Sequence, residues 1–277
     1  MATISGQLKD ASVKGKPRDL MNIIFNVAPT DTPFLTMCGK SKAVQTLHEW
    51  QTDTLADPKE NSALEGADVK DFVASATTEL SNKTQILSTA INVSATAQAI
   101  EQAGVDKQYN YQMALRTKEL KKDVEFALLQ NKLERADNGT NQGRLMRGLP
   151  TWMQTNWNVG ASTGAIAVPS SKACTAGTAR VPDEATVKNV LTKIYESGGD
   201  PDRIMMAPGI RVKMSEVLNG GATRMENVDK KKATAVIDVY VSDFGTLKLM
   251  PNRVQAKVGY SKSCAFILDP QYWKVAY

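Results

Sequence analysis

Two rhythms of apolar positions run along this chain. In "TQILSTAINVSAT", residues 84–96, Leu87, Thr89, Ile91, Val93 and Ala95 alternate with Ser88, Ala90, Asn92, Ser94 and Thr96. A period of two predicts a strand with one apolar face. Residues 44–55, rich in β-branched and aromatic side chains, predict a second strand. Between them, "ADPKENSALEGADVKD" is charged and carries turn signals at Asp57-Pro58 and Glu65-Gly66, which predicts an exposed tip. Together these make a long hairpin reaching roughly 30–40 Å at ~3.3 Å per residue. A lone two-stranded hairpin is marginal in water, so this one is expected to lean on another molecule.

The helical rhythm is clearest over residues 107–136, which contain no Pro or Gly and follow Asp106 as a candidate cap. Tyr109, Met113, Leu120, Val124 and Ala127 form one stripe; Tyr111, Leu115, Phe126, Leu129 and Leu133 form another. A helix of that length measures roughly 45 Å. Its apolar stripes predict core packing, and Lys121 facing Glu125 one turn on predicts a solvated face. Leu20, Ile23, Ile24 and Val27 predict a short helix capped by Asp19 and stopped by Pro29.

Residues 137–181 are rich in Gly, Ser, Thr and Asn, interrupted by the apolar piece "RGLPTWMQTNW". Beyond them the pattern is that of a compact α/β unit. A helix over 183–196 closes at Gly198-Gly199, the strand "RIMMA" follows, and a helix opens at Pro208. "AVIDVYVSDFG" and "TLKLMPN" predict a strand–turn–strand unit with Ile237, Val239 and Val241 on one face. "CAFILDPQYWKVAY" supplies two closing strands, the last with Trp273, Val275 and Tyr277 alternating.

Composition removes most enzyme chemistries. His48 is the sole histidine, and Cys38, Cys174 and Cys264 are dispersed with no C-x-x-C pair. Zinc or non-haem iron sites want several imidazoles or thiolates at fixed spacing, so no metal or cofactor is expected. His48 lies within five residues of Glu49, Trp50 and Asp53, which looks like a catalytic cluster. In a strand, however, His48 and Trp50 share one face while Glu49 and Asp53 share the other. No catalytic residue is assigned. "CGKS" lacks the earlier glycine of a phosphate loop, because that position is Phe34. "DFG" at Asp243 has no kinase catalytic loop to accompany it and predicts a turn.

The thiols are expected to be buried and reduced. No apolar run reaches the ~20 residues that cross a bilayer, and the N-terminus lacks a secretory stretch, so the chain is expected to stay in the cytosol. The sequons at Asn82, Asn92 and Asn138 then carry no glycan. Residues 1–18 are polar with four basic side chains and predict an extended arm. The net charge of +5 and pI near 9.0 permit contact with nucleic acid without indicating it. Lys230, Lys231 and Lys232 form the densest basic run, read as a solvated loop.

Six segments, in order, resemble the major capsid proteins of tailed bacteriophages with the Hong Kong 97 capsid fold, and among them the SU-ten head protein family. They are "PTDTPFLTMCG" with "HEWQTDTL", "NSALEG", "RGLPTWMQTN", "LTKIYESGGDPDRIMMAP", "VYVSDFGTLKLMPNR" and "LDPQYWKV". The resemblance implies an α+β chain with no enzymatic activity. Its parts would be an N-terminal arm (1–43), an extended β-hairpin loop (44–94) and a peripheral domain (95–182) with a long spine helix (106–136). An α/β axial domain (183–264) and return strands (265–277) would follow.

Its implied function is self-assembly into hexamers and pentamers that form an icosahedral head around double-stranded DNA, in a virion assembled in the host cytoplasm. His48, Trp50, Leu87, Ile91 and Val93 become candidates for contact with a neighbouring subunit. Lys9, Lys14, Lys16 and Arg18 become interior candidates that offset phosphate charge without reading sequence. The implied partners are a separate scaffolding protein, since the arm is too short to include one, a portal protein and a cement protein where one is used. No membrane is involved. An encapsulin-like compartment shell, a basic DNA-binding protein and a hydrolase using His48 are the competing readings.

Overall fold

The computed structural model describes residues 23, 24, 26, 28–66, 68, 74–160, 173–221 and 239–277. Helices and sheets are mixed along the chain. In order the elements are α1 (Pro33–Met37), β1 (Gly39–Ser41), β2 (Leu47–Thr52), β3 (Thr78–Lys83), α2 (Ala95–Ala99), α3 (Gln108–Leu129) and α4 (Leu149–Trp152). Then follow α5 (Glu184–Glu196), β4 (Arg203–Met206), α6 (Pro208–Gly221), β5 (Val239–Ser242), β6 (Gly245–Pro251), β7 (Ala265–Leu268) and β8 (Lys274–Ala276). Two compact units divide the chain, Met1–Thr30 with Thr89–Glu119, and Asp31–Ser88 with Leu120–Tyr277. Among the described residues no helix is long and apolar enough to cross a membrane.

The larger unit is organised by a four-stranded sheet in the order β5-β6-β4-β7, with β4 parallel to β6 and antiparallel to β7. Both faces of β4 are covered, which explains why Ile204, Met205 and Met206 follow Arg203 as a continuous apolar run. Ile204 and Met206 pack with Val187 and Leu191 of α5, Met214 of α6, and Leu247 and Leu249. Met205 points the other way, into Phe34, Leu129, Leu149, Phe266 and Leu268. The β5–β6 pair meets at the turn before Gly245, whose φ of 139° suits a residue without Cβ, so "DFG" is a turn as expected. Helix α5 ends where Gly198 takes φ 80° and the Gly198 and Gly199 N–H groups return to the carbonyls of Tyr195 and Ile194.

Three expectations need correction. The alternating segment 84–96 is not a strand. The partner of β2 is β3, with Leu47 opposite Lys83 and Thr52 opposite Thr78, so the ladder is six pairs long. Leu87, Ile91 and Val93 are half-buried while Asn92 and Ser94 are exposed, but Thr89 and Ala95, expected on the same face as the first three, are exposed too; among the described residues the stretch has no ladder partner, and Ser94 caps α2 instead. The spine helix ends at Leu129 and not near residue 136. The Ser261 hydroxyl donates to the Leu129 carbonyl at 2.5 Å, Gly148 N–H donates to Lys132 O at 3.0 Å, and Arg135 bridges to Leu145. Tertiary donors thus take the carbonyls that the next helical turn would use. Nor are Ile23, Ile24 and Asn26 helical; Ile24 instead lies against the Gly104 turn.

Gly148 is needed at that crossing. A Cβ there would stand 1.7 Å from the Gln130 carbonyl oxygen. Gly148→Ala is therefore expected to lower stability by about 3 kcal/mol, the upper range for forced overpacking, as read by denaturant unfolding. An unchanged midpoint would show that the two segments move apart freely.

Glu125 was expected on a solvated face with Lys121. It is fully buried. Its Oε1 accepts from Phe34 N–H at 2.9 Å and from Asn252 Nδ2 at 2.6 Å, and its Oε2 accepts from Leu35 N–H at 2.7 Å. The five-residue α1 starts with Pro33 and has no side-chain cap of its own. The Glu125 side-chain carboxyl, 90 residues away, supplies it. Strand β1 next runs parallel to β8, with Gly39 opposite Lys274.

The thiols are all unpaired; Cys38 is buried, and Cys174 and Cys264 are half-buried. Burial, helped by the nearby Glu125 carboxylate, pushes the Cys38 thiol up to about 12, so it stays protonated.

Candidate functional site

The β2–β3 hairpin is held at its root and open at its tip. On one face of β2, His48 and Trp50 are neighbours with ring centroids 5.9 Å apart. Trp50 continues onto Trp152 of α4 at 5.4 Å, and the Arg147 guanidinium lies 4.2 Å from the Trp152 ring centre. This is a stack of three rings closed by a cation. Arg147 is fixed in place by Nε and Nη2 bonds to Thr151 Oγ1 and O, the second at 2.7 Å. Burial lowers its pKa, against the raising influence of Glu134. Its backbone N–H reaches Asn82 Oδ1 of β3 at 2.9 Å, Met146 N–H reaches Gln85, and Lys83 approaches Glu134 at 3.7 Å. Thr84 N–H and hydroxyl both bond Thr46 O, closing the ladder below Leu47.

The face shared by His48 and Trp50 is thus as the alternation predicts, and His48 meets an aromatic ring there. Sequence reasoning did not find Trp152 or Arg147. Both sit in the apolar piece marked as packed, but nothing local says that β2 is what they pack against. Among the described residues there is no group of three or more His, Cys, Asp or Glu side chains placed to hold a metal.

Beyond Thr52 the chain changes character. Residues 53–66 are exposed throughout, including Leu55 at 99% and Leu64 at 85% exposure. Val44 and Ile86, flanking the root, are 78% and 76% exposed. Isolated exposed leucines are ordinary; here two nearly bare ones lie in the same stretch beyond β2. Leu87, Ile91 and Val93 present only part of their surface. The basic candidates Lys9, Lys14, Lys16 and Arg18, and the run at Lys230, Lys231 and Lys232, lie outside the described residues.

The curated major capsid protein of Escherichia phage Phieco32 is 30% identical over 226 residues, which is 70% of this chain and 64% of that protein's own length. The family model for the SU10 major capsid protein matches residues 3–277, nearly every position here. With a match of that extent, the chain belongs to the SU10 major capsid protein family.

Proposed function

We propose that this protein is the shell subunit of a tailed-phage head, with the Hong Kong 97 fold, assembling as hexamers and pentamers around double-stranded DNA. The observation that carries this reading is the family match from residue 3 to residue 277. The exposed hairpin tip supports it, since identical subunits that lie on one another need such self-complementary projections.

In this reading residues 1–43 are the N-terminal arm and 44–94 the extended loop. Residues 95–182 are the peripheral domain, with α3 as its spine, 183–264 the axial domain and 265–277 the return strands. His48, Trp50, Leu87, Ile91 and Val93 contribute to contact with a neighbouring subunit. In β2 that contribution is through the outer rim of a stack whose inner side is occupied by Trp152. Lys9, Lys14, Lys16 and Arg18 face the packaged DNA and offset phosphate charge without sequence readout. A scaffolding protein, a portal protein and, where used, a cement protein are its partners, and assembly takes place in the host cytoplasm. Many moderate interfaces sum to a stable container.

The test is expression of the chain alone and with a candidate scaffolding protein, followed by sedimentation and negative-stain electron microscopy. Capsomers or closed shells are the expected result. A persistent monomer that binds duplex DNA with a steep salt dependence would replace this reading with that of a basic DNA-binding protein.

A further inference from the structure

The sequon Asn138-Gly139-Thr140, which carries no glycan in the expected compartment, has a different chemistry available. It lies in an exposed loop pinched by the Arg135–Leu145 bridge, whose two backbone bonds are 3.0 and 3.1 Å. Arg135 Nη2 also holds Gly143 O at 3.2 Å. Inside the loop, Asn138 Oδ1 accepts three backbone N–H bonds, from Thr140 at 3.1 Å, Asn141 at 3.1 Å and Gln142 at 2.9 Å. Its Nδ2 donates to Asn141 Oδ1 at 2.9 Å, and Gly139 N–H donates to Asp137 Oδ1 at 2.7 Å. Gly139 has φ 70°, and nothing lies within 4 Å of where its Cβ would be.

Three N–H groups converging on one carbonyl oxygen polarise the carbon behind it, the arrangement that stabilises an oxyanion. A carboxylate on the next amide is placed to take that amide's proton. We propose that Asn138-Gly139 is a self-modification site, at which the Gly139 nitrogen attacks the Asn138 side-chain carbonyl and converts Asn138 to aspartate.

In the first step the Gly139 N–Asn138 Cγ bond forms, and Asp137 accepts the amide proton. The Cγ–Nδ2 bond then breaks, and Nδ2 leaves as ammonia with the proton that Asp137 returns. One water opens the resulting succinimide, and nothing is oxidised or reduced. Opening at Cγ restores the ordinary backbone and puts a carboxylate under the same three N–H donors, where its charge strengthens each bond. Opening at the backbone carbonyl gives isoaspartate, whose longer backbone displaces those donors. The folded loop therefore favours aspartate, and each chain gains one negative charge on an exposed loop. This chemistry is independent of whether the chain builds a shell.

The experiment follows amide-to-acid conversion by mass spectrometry in the full chain, held folded at neutral pH and then digested with trypsin. Residues 136–144 form one tryptic peptide, so Asn141 is a control within the same fragment. Asn219-Gly220, which is inside α6, controls for the dipeptide alone. Asn138 is expected to convert about tenfold faster in the folded chain than in the free peptide 136–144, yielding mainly aspartate. Asp137→Asn is expected to slow the folded chain about tenfold, a modest value for loss of a positioned base. A folded-chain rate at or below the peptide's overturns the proposal. An unchanged rate in Asp137→Asn, with circular dichroism intact, overturns it too. If that variant misfolds, the comparison of folded chain with peptide decides alone.

Discussion

Glu125→Ala is expected to destabilise the folded chain by about 4 kcal/mol. Three donors, the N–H groups of Phe34 and Leu35 and the side-chain amide of Asn252, lose their acceptor at once. A buried donor left without a partner costs about 1–3 kcal/mol, and the new cavity adds to that. Glu125→Gln is gentler, about 1–2 kcal/mol, because its remaining oxygen still serves the two donors that Oε1 serves and only Leu35 N–H is orphaned. Denaturant unfolding of the three proteins measures both. Equal midpoints would mean that α1 is held by Phe34 packing alone.

The same carboxyl sets a pH dependence. Burial raises its pKa, outweighing the hydrogen bonds from Leu35, Phe34 and Asn252 that lower it. With the folded value above the unfolded one, this group's stabilising contribution is fully present below the ordinary glutamate range. It is lost as pH rises through the folded value, since ionisation then occurs in a buried site. The wild-type advantage over Glu125→Gln should therefore shrink as pH rises across that window. A constant difference would show that the site is wetter than its burial implies.

The second large effect is on assembly. Leu55→Ser with Leu64→Ser removes two side chains that touch almost nothing in the single chain, so subunit stability should move by no more than ~0.5 kcal/mol. If each leucine is buried by a neighbouring copy, about 1.5–3 kcal/mol per side chain is lost at every contact. Together that is a factor of ~100 or more in pairwise affinity, multiplied around a closed shell. The protein concentration at which light scattering shows assembly should rise at least tenfold. Assembly at the original concentration would mean the tip is solvent-exposed in the particle as well.

How much of this was legible beforehand depended on where the cause lay. Strands β2, β5 and β6, the turn at Asp243-Phe244 and the capped helix α5 follow from neighbours in sequence, and they form where the pattern predicts. Strand β3, "TELSNK", is polar except for Leu80, so no periodicity announced it. It exists because Leu80 lies opposite Trp50 in the β2 ladder. The alternation of residues 84–96 specifies which side chains share a face, but a face is not a ladder. Helix α3 stops early for reasons found near Ser261 and Gly148, far from Leu129 in sequence. At the hairpin root, the shared face of His48 and Trp50 was readable from spacing alone. Their partner was not, because Trp152 arrives only after β3, α2 and α3.

The parallel pairing of β1 with β8 also sets a timetable. Ribosomes deliver residues in order, and strand Gly39–Ser41 is bonded to Lys274–Ala276, more than two hundred positions later in the chain. The segment around α1 therefore stays unsealed on the nascent chain until residue 276 has emerged, whatever has already folded between them. A half-made chain consequently lacks the seal that β8 provides beside β1, so this part of the fold is completed only at the very end of synthesis.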